Sequence, residues 1–169
     1  TQAWHERAGW VNGAWARHRS NCQAFYNNDV VVGDFENGNI YAFDSDVYAD
    51  HDRPQRWYRS WRALPPGQNN LKRTAQHELQ LDCETGVGLV VGQGSDPEVM
   101  LRWSDDGGHT WSYEHWKKMG KIGEFGYRTI WRRLGMTEKI RDRVYEVSGT
   151  DPVKLYIMGA ELRLSGTAA

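Results

Sequence analysis

The sequence predicts an all-β protein built from short-stranded antiparallel sheets. Nine Trp, eight Tyr and eighteen Gly stand out among the 169 residues. Aromatic rings pack across neighbouring strands and glycine supplies the positive φ of tight turns, so this composition favours sheets joined by short turns. Apolar or alternating runs recur between turn residues, and helical periodicity is hard to find. Roughly ten strands account for this pattern, arranged either as β-propeller blades or as a β-sandwich made from a propeller-like fragment.

The first half of the chain contains five predicted strands. Asn37-Gly38 is the strongest hairpin signal among their connections, because both central residues of a type I′ turn need positive φ. Asn27-Asn28-Asp29 is a second good turn. The aromatic and basic segment 55–64 has two interpretations: a strand whose rings pack inward while its arginines face water, or a surface that stacks on bases or sugars. The five strands span residues 21–26, 30–33, 39–44, 55–64 and 73–83.

The second half adds four predicted strands and several loops. Residues 153–164 alternate best and are expected to bend at Gly159. Residues 114–123 are interpreted as a loop or short turn. The glycine-rich stretch 85–96 resembles GxGxxG only loosely, and no helix pattern follows it, so a dinucleotide site is not expected. The four strands span residues 97–103, 127–135, 143–149 and 153–164.

Charge and hydropathy exclude several classes of partner. Lysine plus arginine (21) nearly balances aspartate plus glutamate (22), so the formal net charge is −1. No overall attraction to nucleic acid or to an anionic membrane follows from that charge. Transmembrane-helix and signal-peptide patterns are missing from the sequence. The basic segment 117–143 is interpreted as a solvated or partner-facing surface rather than a nucleic-acid site, and the acidic segment 45–52 as a solvated loop, since it lacks the Gly and Glu of an EF-hand.

Cysteine and histidine spacing predicts neither a disulfide nor a metal site, and no cofactor is expected. Cys22 and Cys83 lie far apart without CxxC spacing, which favours two reduced thiols. The six histidines form no HxxxH or HExxH pair. The length supports a single all-β domain over 1–169. Because Thr1 rather than Met opens the chain, we expect the C-terminal part of a longer protein.

The octet SDDGGHTW (104–111) is the most specific motif in the chain. Its adjacent aspartates suggest an active-site carboxylate pair, whereas its glycines suggest a tight turn. The octet fits S-x-D-x-G-x-T-W without a substitution and so resembles the Asp-box of sialidase-type β-propellers. In such a turn, Asp and Ser side chains bond nearby backbone groups, and the Trp ring packs under the loop. We therefore expect a structural turn and no catalytic residue. The matching positions are Ser104, Asp106, Gly108, Thr110 and Trp111.

A second set of segments extends from about residue 10 onward. It comprises VVGDFENGNIYAFD (31–44), ETGVG with GQG (84–94), DPEVMLRWSDDGGHTWS (96–112), GKIGE (120–124), IWRRLG (130–135), RDRVYEVS (141–148) and DPVK (151–154). These segments resemble the packaged-DNA stabilisation proteins, or tail accessory proteins, of short-tailed phages.

The resemblance to phage proteins implies a structural role without enzymatic activity. It implies that the protein closes the portal and tail channel, binds other tail and portal-adaptor proteins, and forms a homo-oligomeric ring. It also implies a place in the virion tail after synthesis in the bacterial cytoplasm. Neither sequence-specific nucleic-acid binding nor membrane binding is expected.

A different class of function remains open on the sequence. The Asp-box resemblance and the aromatic residues also fit a carbohydrate-binding or glycan-hydrolysing β-propeller related to sialidases or tailspikes. Exposed aromatic rings would provide stacking surfaces for sugars in such a protein. The relevant tryptophans are Trp57, Trp61, Trp103 and Trp116.

Overall fold

The computed structural model describes residues 6–51, 53–64, 73–137 and 143–166. All regular secondary structure within these ranges is β-strand, and all paired strands are antiparallel. The all-β prediction is therefore confirmed. Contacts divide the chain into two compact units, Thr1–Arg56 and Trp57–Ala169. The single domain over 1–169 stays a prediction.

The first unit is built from short strands. Within its described residues they are β1 (Gly9–Val11), β2 (Ala14–Ala16), β3 (Ser20–Tyr26), β4 (Asp29–Asp34), β5 (Ile40–Ala42), β6 (Ala49–Asp50) and β7 (Arg53–Pro54). They pair as the hairpin β1–β2, the three-stranded sheet β3-β4-β5 and the hairpin β6–β7. The strands predicted over 21–26, 30–33 and 39–44 correspond to β3, β4 and a shorter β5.

Two-residue turns with positive φ close two of these hairpins. Asn27 (φ 48°) and Asn28 (φ 70°) join β3 to β4, while Asn12 (φ 51°) and Gly13 (φ 79°) join β1 to β2. Positive φ at both central residues is the type I′ geometry, which matches the twist of the flanking strands. Asn12-Gly13 is the same dipeptide as Asn37-Gly38. The Asn-Gly rule for type I′ turns therefore holds at residues 12–13.

The type I′ turn predicted at Asn37-Gly38 is wrong. Neither residue has positive φ. The connection between β4 and β5 is instead a longer loop, in which the Asn39 N–H donates to the Asn37 Oδ1 at 2.8 Å. The Asp34 N–H closes this loop by donating to the Asn39 carbonyl at 3.1 Å. A side-chain-closed turn of this kind needs no positive φ, because the Asn amide oxygen replaces a backbone acceptor.

The second unit contains two sheets. Its strands are β8 (Trp57–Arg62), β9 (Thr74–Cys83), β10 (Glu98–Ser104), β11 (His115–Lys118), β12 (Thr129–Arg132), β13 (Val144–Gly149) and β14 (Ile157–Gly166). One sheet has the order β11-β10-β13-β8 and the other the order β12-β9-β14. Strand β14 begins four residues later than predicted, and its register shifts between Ile157 and Gly159, where a bend was expected.

A single hydrophobic core lies between these two sheets. Alternate residues of a strand share one face, and on β9, β10 and β13 those of the inner face are almost fully buried. Burying a side chain of this size stabilises the fold by about 1.5–3 kcal/mol. The innermost of these residues are Leu79, Leu81, Val99, Leu101, Tyr145 and Val147.

Segment 55–64 follows the strand interpretation made from the sequence. Trp57 and Trp61 lie partly buried against the core, whereas Arg59 and Arg62 are exposed. Gly149 is the residue opposite Trp57 on β13. A Cβ at Gly149 would lie 2.7 Å from the Trp57 ring, so this position requires glycine.

The prediction of a loop or short turn over 114–123 is wrong at His115–Lys118, which form strand β11. This strand pairs with the edge of β10, where Trp116 lies opposite Met100 and Lys117 opposite Val99. All four of its side chains are exposed. The sequence of an edge strand without a buried face carries no alternating pattern, so only the backbone pairing with β10 reveals it.

A buried hydrogen bond joins the two sheets through the core. The Tyr145 hydroxyl on β13 donates to the Gln76 Oε1 on β9, and the Gln76 Nε2 donates to the Thr74 hydroxyl at 3.3 Å. Burial raises the pKa of Tyr145 to about 12, so its hydroxyl stays protonated and remains a donor at neutral pH. This bond is directional, and it therefore sets the relative position of β9 and β13 more closely than apolar packing alone would.

We expect Tyr145→Phe to lower the free energy of unfolding by about 1–3 kcal/mol, because the buried Gln76 acceptor loses its partner. Denaturant unfolding monitored by tryptophan fluorescence measures this change. Tyr113→Phe is the matched control, because Tyr113 is almost fully exposed. Equal stability of the two variants would contradict a role for this bond.

Candidate functional site

The octet 104–111 begins at the last residue of β10 and turns the chain back on itself. The turn is closed just outside the octet by two hydrogen bonds. The Ser112 N–H donates to the Trp103 carbonyl at 2.8 Å, and the Trp103 N–H donates to the Ser112 Oγ at 3.0 Å. The octet is therefore a loop whose two ends are joined by hydrogen bonds, and it lies where β10 ends.

Asp106 lies at the centre of the octet's hydrogen bonds. The Ser104 hydroxyl donates to its Oδ1 at 2.7 Å, and the Thr110 hydroxyl donates to its Oδ2 at 2.6 Å. The backbone N–H groups of His109 and Thr110 also donate to the carboxylate, each at 2.9 Å. Ser104 accepts the Gly108 N–H at 2.8 Å in addition. Both oxygens of Asp106 are thus occupied by donors from its own loop.

These donors hold the pKa of Asp106 well below its usual range. The hydrogen bond from Ser104 has the largest effect, followed by those from the side chain and backbone of Thr110. A carboxylate that accepts several hydrogen bonds stays ionised to low pH and accepts a proton poorly. Asp106 in this state is unsuited to act as a general acid or base near neutral pH.

The two glycines and the tryptophan shape the rest of the loop. Gly107 (φ 81°) and Gly108 (φ 101°) adopt backbone conformations that a Cβ would penalise. The Trp111 Nε1–H donates to the Gly108 carbonyl at 3.0 Å. The Arg102 guanidinium lies 4.5 Å from the centre of the Trp111 ring and also pairs with Glu146 at 2.6 Å. The ring is therefore held between the loop and a charged pair on the sheet.

Asp105, the neighbouring aspartate, points to a different partner. Its two oxygens accept hydrogen bonds from the Nε and Nη2 of Arg143, both at 2.8 Å. The same guanidinium donates to the Leu134 carbonyl at 2.5 Å and the Met136 carbonyl at 3.1 Å. Burial opposes the charge of Arg143, but the interactions with Asp105 and Tyr145 together outweigh it and raise the pKa of Arg143. The Arg143 side chain of this bidentate pair is almost completely buried.

Sequence reasoning missed the Asp105–Arg143 pair. The partners are separated by 38 positions, so no local motif links them. The buried position of Arg143 also differs from the solvated or partner-facing surface that the basic segment 117–143 predicts. Part of that segment, 138–142, lies outside the described residues. The adjacent aspartates of the octet do not form a pair with each other, because each is bound to separate donors.

The tryptophans considered for sugar stacking are not gathered on one surface. Trp57, Trp61 and Trp103 are partly buried and pack against the core. The Trp103 ring also stacks on His115, with 4.7 Å between ring centres. Trp116 alone of the four is more than one-third exposed.

The described residues contain neither a metal-binding cluster nor a membrane-spanning helix. No group of three or more His, Cys, Asp or Glu side chains is placed to hold a metal ion there. None of these residues belongs to a helix that is long and apolar enough to span a membrane. Cys22 is exposed and Cys83 is buried, and burial raises the pKa of the Cys83 thiol.

The end of the sandwich opposite the octet has a different surface. Glu98 at the start of β10 lies opposite Lys118 at the end of β11, and β13 ends beside them. Three loops that join the two sheets therefore meet there: 84–97, 119–128 and 150–156. The Gly123 N–H donates to the Gly86 carbonyl at 3.0 Å, which ties the first two loops together. We call this surface the apolar end, after its exposed side chains Leu89, Val90, Val91, Ile122, Phe125 and Tyr156.

The arrangement in the second unit defines a two-sheet β-sandwich with its connecting loops at both ends. Residues 57–165 match the family model described as the beta-sandwich of bacteriophage P22 Gp10. The match covers more than half of the chain, so the chain belongs to this family. Membership supports a structural protein of the tail of P22-like phages and a component of the virion. No curated protein matches the chain significantly.

The family match decides between the two predicted architectures. The sandwich alternative is the one observed in the second unit, and the match gives no support to a propeller or to glycan hydrolysis. The five octet residues lie together as a hydrogen-bonded turn. Their classification as an Asp-box, and their purely structural role, stay predictions.

We expect Asp106→Ala to lower the melting temperature by roughly 4 °C or more, because four donors of the loop lose their acceptor. Differential scanning calorimetry of the full chain measures the shift. His109→Ala is the control within the same loop, because the His109 side chain is exposed. A shift of the same size in both variants would show that Asp106 has no special role.

The same carboxylate predicts a pH dependence. Because the pKa of Asp106 is lower in the folded chain than in the unfolded chain, its contribution is full above about pH 4 and is lost as the pH falls further. The difference in melting temperature between the unchanged chain and Asp106→Ala should therefore shrink from neutral pH to about pH 3. A difference that stays constant over this range would contradict the lowered pKa.

We expect Arg143→Lys to cost about 3 kcal/mol of unfolding free energy, because lysine cannot bind both Asp105 oxygens and two carbonyls at once. Urea unfolding provides the measurement. Arg163→Lys is the control, since Arg163 is mostly exposed and lies 3.9 Å from Glu78. If both substitutions cost less than about 0.5 kcal/mol, the buried pair does not organise this end of the sandwich.

Proposed function

We propose that this protein stabilises packaged DNA in a short-tailed phage by closing the portal and tail channel. The observation that carries the proposal is the match of residues 57–165 to the P22 Gp10 β-sandwich family. In this role the protein acts by binding neighbouring tail and portal-adaptor proteins, and several copies form a ring. It does so without catalysing a reaction.

The hydrogen bonding of the octet supports a structural role rather than catalysis. Asp106 is committed to its own loop and Asp105 to Arg143. The oxygens of both carboxylates are occupied by these donors, so neither is presented to a substrate as a nucleophile or a base. We assign the octet as an Asp-box turn that holds one end of the sandwich in a fixed shape.

The apolar end supports binding to other proteins. Val90 is 79% exposed, Val91 78% and Phe125 75%. Large exposed apolar side chains gathered at one end of a protein cost solubility, and such surfaces mark contact sites. The three loops that carry it are joined to one another and anchored on the sheets, so they present a preformed surface. We therefore assign the apolar end to contact with a neighbouring tail protein.

We expect Val90→Asp combined with Val91→Asp to reduce the yield of DNA-filled particles at least tenfold, because a charge on this surface is desolvated on binding. The measurement is a complementation assay in a phage that lacks this protein, in which nuclease-resistant DNA per particle is quantified. The melting temperature of the isolated chain should change little, since both side chains are exposed.

Tyr113→Asp is the matched control for this experiment. Tyr113 is almost fully exposed and follows the octet, at the end of the sandwich away from the apolar end. It should support normal yields of filled particles. Normal yields from the double valine variant would exclude the apolar end as the contact surface. Normal DNA retention in particles that lack the protein altogether would exclude the proposed function.

A further inference from the structure

The hairpin of β3 and β4 in the first unit is exposed on both of its faces. Every residue from Asn21 to Val30 is exposed, although these residues form most of one paired hairpin. Phe25 and Tyr26, which lie next to its turn, are 73% and 74% exposed. Successive residues of a strand point to opposite faces of the sheet, so each face carries one of these two rings. The described residues therefore leave both faces of the hairpin open to solvent.

Strand β3 is also an edge of its sheet. Within the described residues the strand order is β3-β4-β5, so β3 is paired on one side only. The Val30 carbonyl on β4 accepts the N–H of Phe43, just after β5, at 2.9 Å and therefore points toward β5. Antiparallel residue pairs alternate between hydrogen-bonded and non-hydrogen-bonded, and Phe25 lies opposite Val30. The N–H and C=O of Phe25 consequently point away from β4, and by the same alternation so do those of Gln23.

The regular part of this edge is short and has Ala24 at its centre. On one side, the register of β3 against β4 shifts between Ser20 and Cys22. On the other side, the turn at 27–28 with its positive φ angles ends the strand. A bulge interrupts the regular spacing of backbone groups. A strand added to this edge therefore meets regularly spaced N–H and C=O groups on Gln23 and Phe25, which flank Ala24.

No charged side chain protects the edge of β3. Charged residues on an edge strand are one of the devices by which proteins prevent pairing with another chain. Strand β3, Ser20–Tyr26, has no charged residue. Every other edge strand of at least four residues in the described part of the chain has one or more. These are Arg59 and Arg62 on β8, Lys117 and Lys118 on β11, Arg132 on β12, and Glu161 and Arg163 on β14.

The lack of charge on β3 favours a second copy of the same strand as its partner. When a strand pairs with itself about a twofold axis, each side chain lies opposite itself or a near neighbour. A charged strand would then place like charges opposite each other, which destabilises the pair. Strand β3 has no such penalty. A strongly charged peptide, by contrast, would find no opposite charge on β3.

We propose that β3 pairs antiparallel with β3 of a second copy of this chain, about a twofold axis at Ala24. In this register Gln23 of each copy lies opposite Phe25 of the other, and the two residues exchange both backbone hydrogen bonds. The two Phe25 rings lie on one face, diagonal to each other and within reach of contact. A ring requires contact between two different surfaces, whereas this contact is twofold, so the inference does not rest on the proposed function.

Sedimentation velocity on the full 169-residue chain tests this pairing. We expect a monomer–dimer equilibrium with a dissociation constant of about 10 μM or lower. Ala24→Lys should raise this constant roughly tenfold or more, because two like charges would meet at the axis. Ile40→Lys is the matched control, since Ile40 is 73% exposed and lies on β5, the opposite edge of the same sheet. It should dimerise as the unchanged chain does.

A cysteine cross-link tests the register. Across the axis the two Ala24 residues form a non-hydrogen-bonded pair, whose Cα atoms lie about 4.5 Å apart, a distance that a disulfide spans. Ala24→Cys combined with Cys22→Ser should therefore form a disulfide-linked dimer on mild oxidation, detected by non-reducing electrophoresis. Ile40→Cys combined with Cys22→Ser is the control and should remain a monomer in the same gel.

The proposal is overturned if the unchanged chain stays a monomer up to about 100 μM. It is also overturned if Ala24→Lys dimerises normally, or if the Ile40→Cys chain cross-links as readily as the Ala24→Cys chain. A dimer that is lost only when Val90→Asp and Val91→Asp are combined would place the contact at the apolar end and would equally overturn it. Circular dichroism in the aromatic region verifies that each variant is folded.

Discussion

The buried guanidinium of Arg143 is the contact on which the octet end of the sandwich depends. It precedes β13, which belongs to the four-stranded sheet, and it binds Asp105 just after β10 of the same sheet. It also binds the carbonyls of Leu134 and Met136, which follow β12 of the other sheet. A charge this deeply buried is tolerated only when its donors are satisfied, so the loops around it must keep one arrangement. Because Asp105 belongs to the octet, its bonds to Arg143 fix the position of the octet on the sandwich.

The two ends of the sandwich consequently differ in what they offer to a partner. At the octet end, Asp106 accepts hydrogen bonds from its own loop and Asp105 accepts hydrogen bonds from Arg143. At the apolar end, the loops are tied by backbone bonds such as that between Gly123 and Gly86, while their apolar side chains point to solvent. A structural protein can use the first end to keep its shape and the second to bind a neighbour. The Tyr145–Gln76 bond joins the two sheets between these ends.

Local signals in the sequence identified most strands of the second unit, because alternation reports which face of a strand is buried. Strands β9 and β12 alternate in this way, whereas β10 and β13 are buried on both faces for part or most of their length. Alternation is missing from a strand that has no buried face. Strand β11, whose four side chains are all exposed, is of this kind. The Asn-Gly dipeptide does not specify one turn geometry either. Asn12-Gly13 adopts the type I′ turn, whereas Asn37-Gly38 lies in a longer loop closed by the Asn37 side chain.

The all-β class and the octet turn follow from local sequence, because the octet's hydrogen bonds join residues no more than four positions apart. Residue types at fixed short spacing are enough to specify contacts of that kind. The Arg143–Asp105 pair, the Tyr145–Gln76 bond and the open edge of β3 are visible only in the folded chain. The partners in the first two contacts lie 38 and 69 positions apart, and the edge depends on which strands of a sheet are neighbours. Such contacts form only when chain folding brings distant segments together, and no local pattern records which segments will meet.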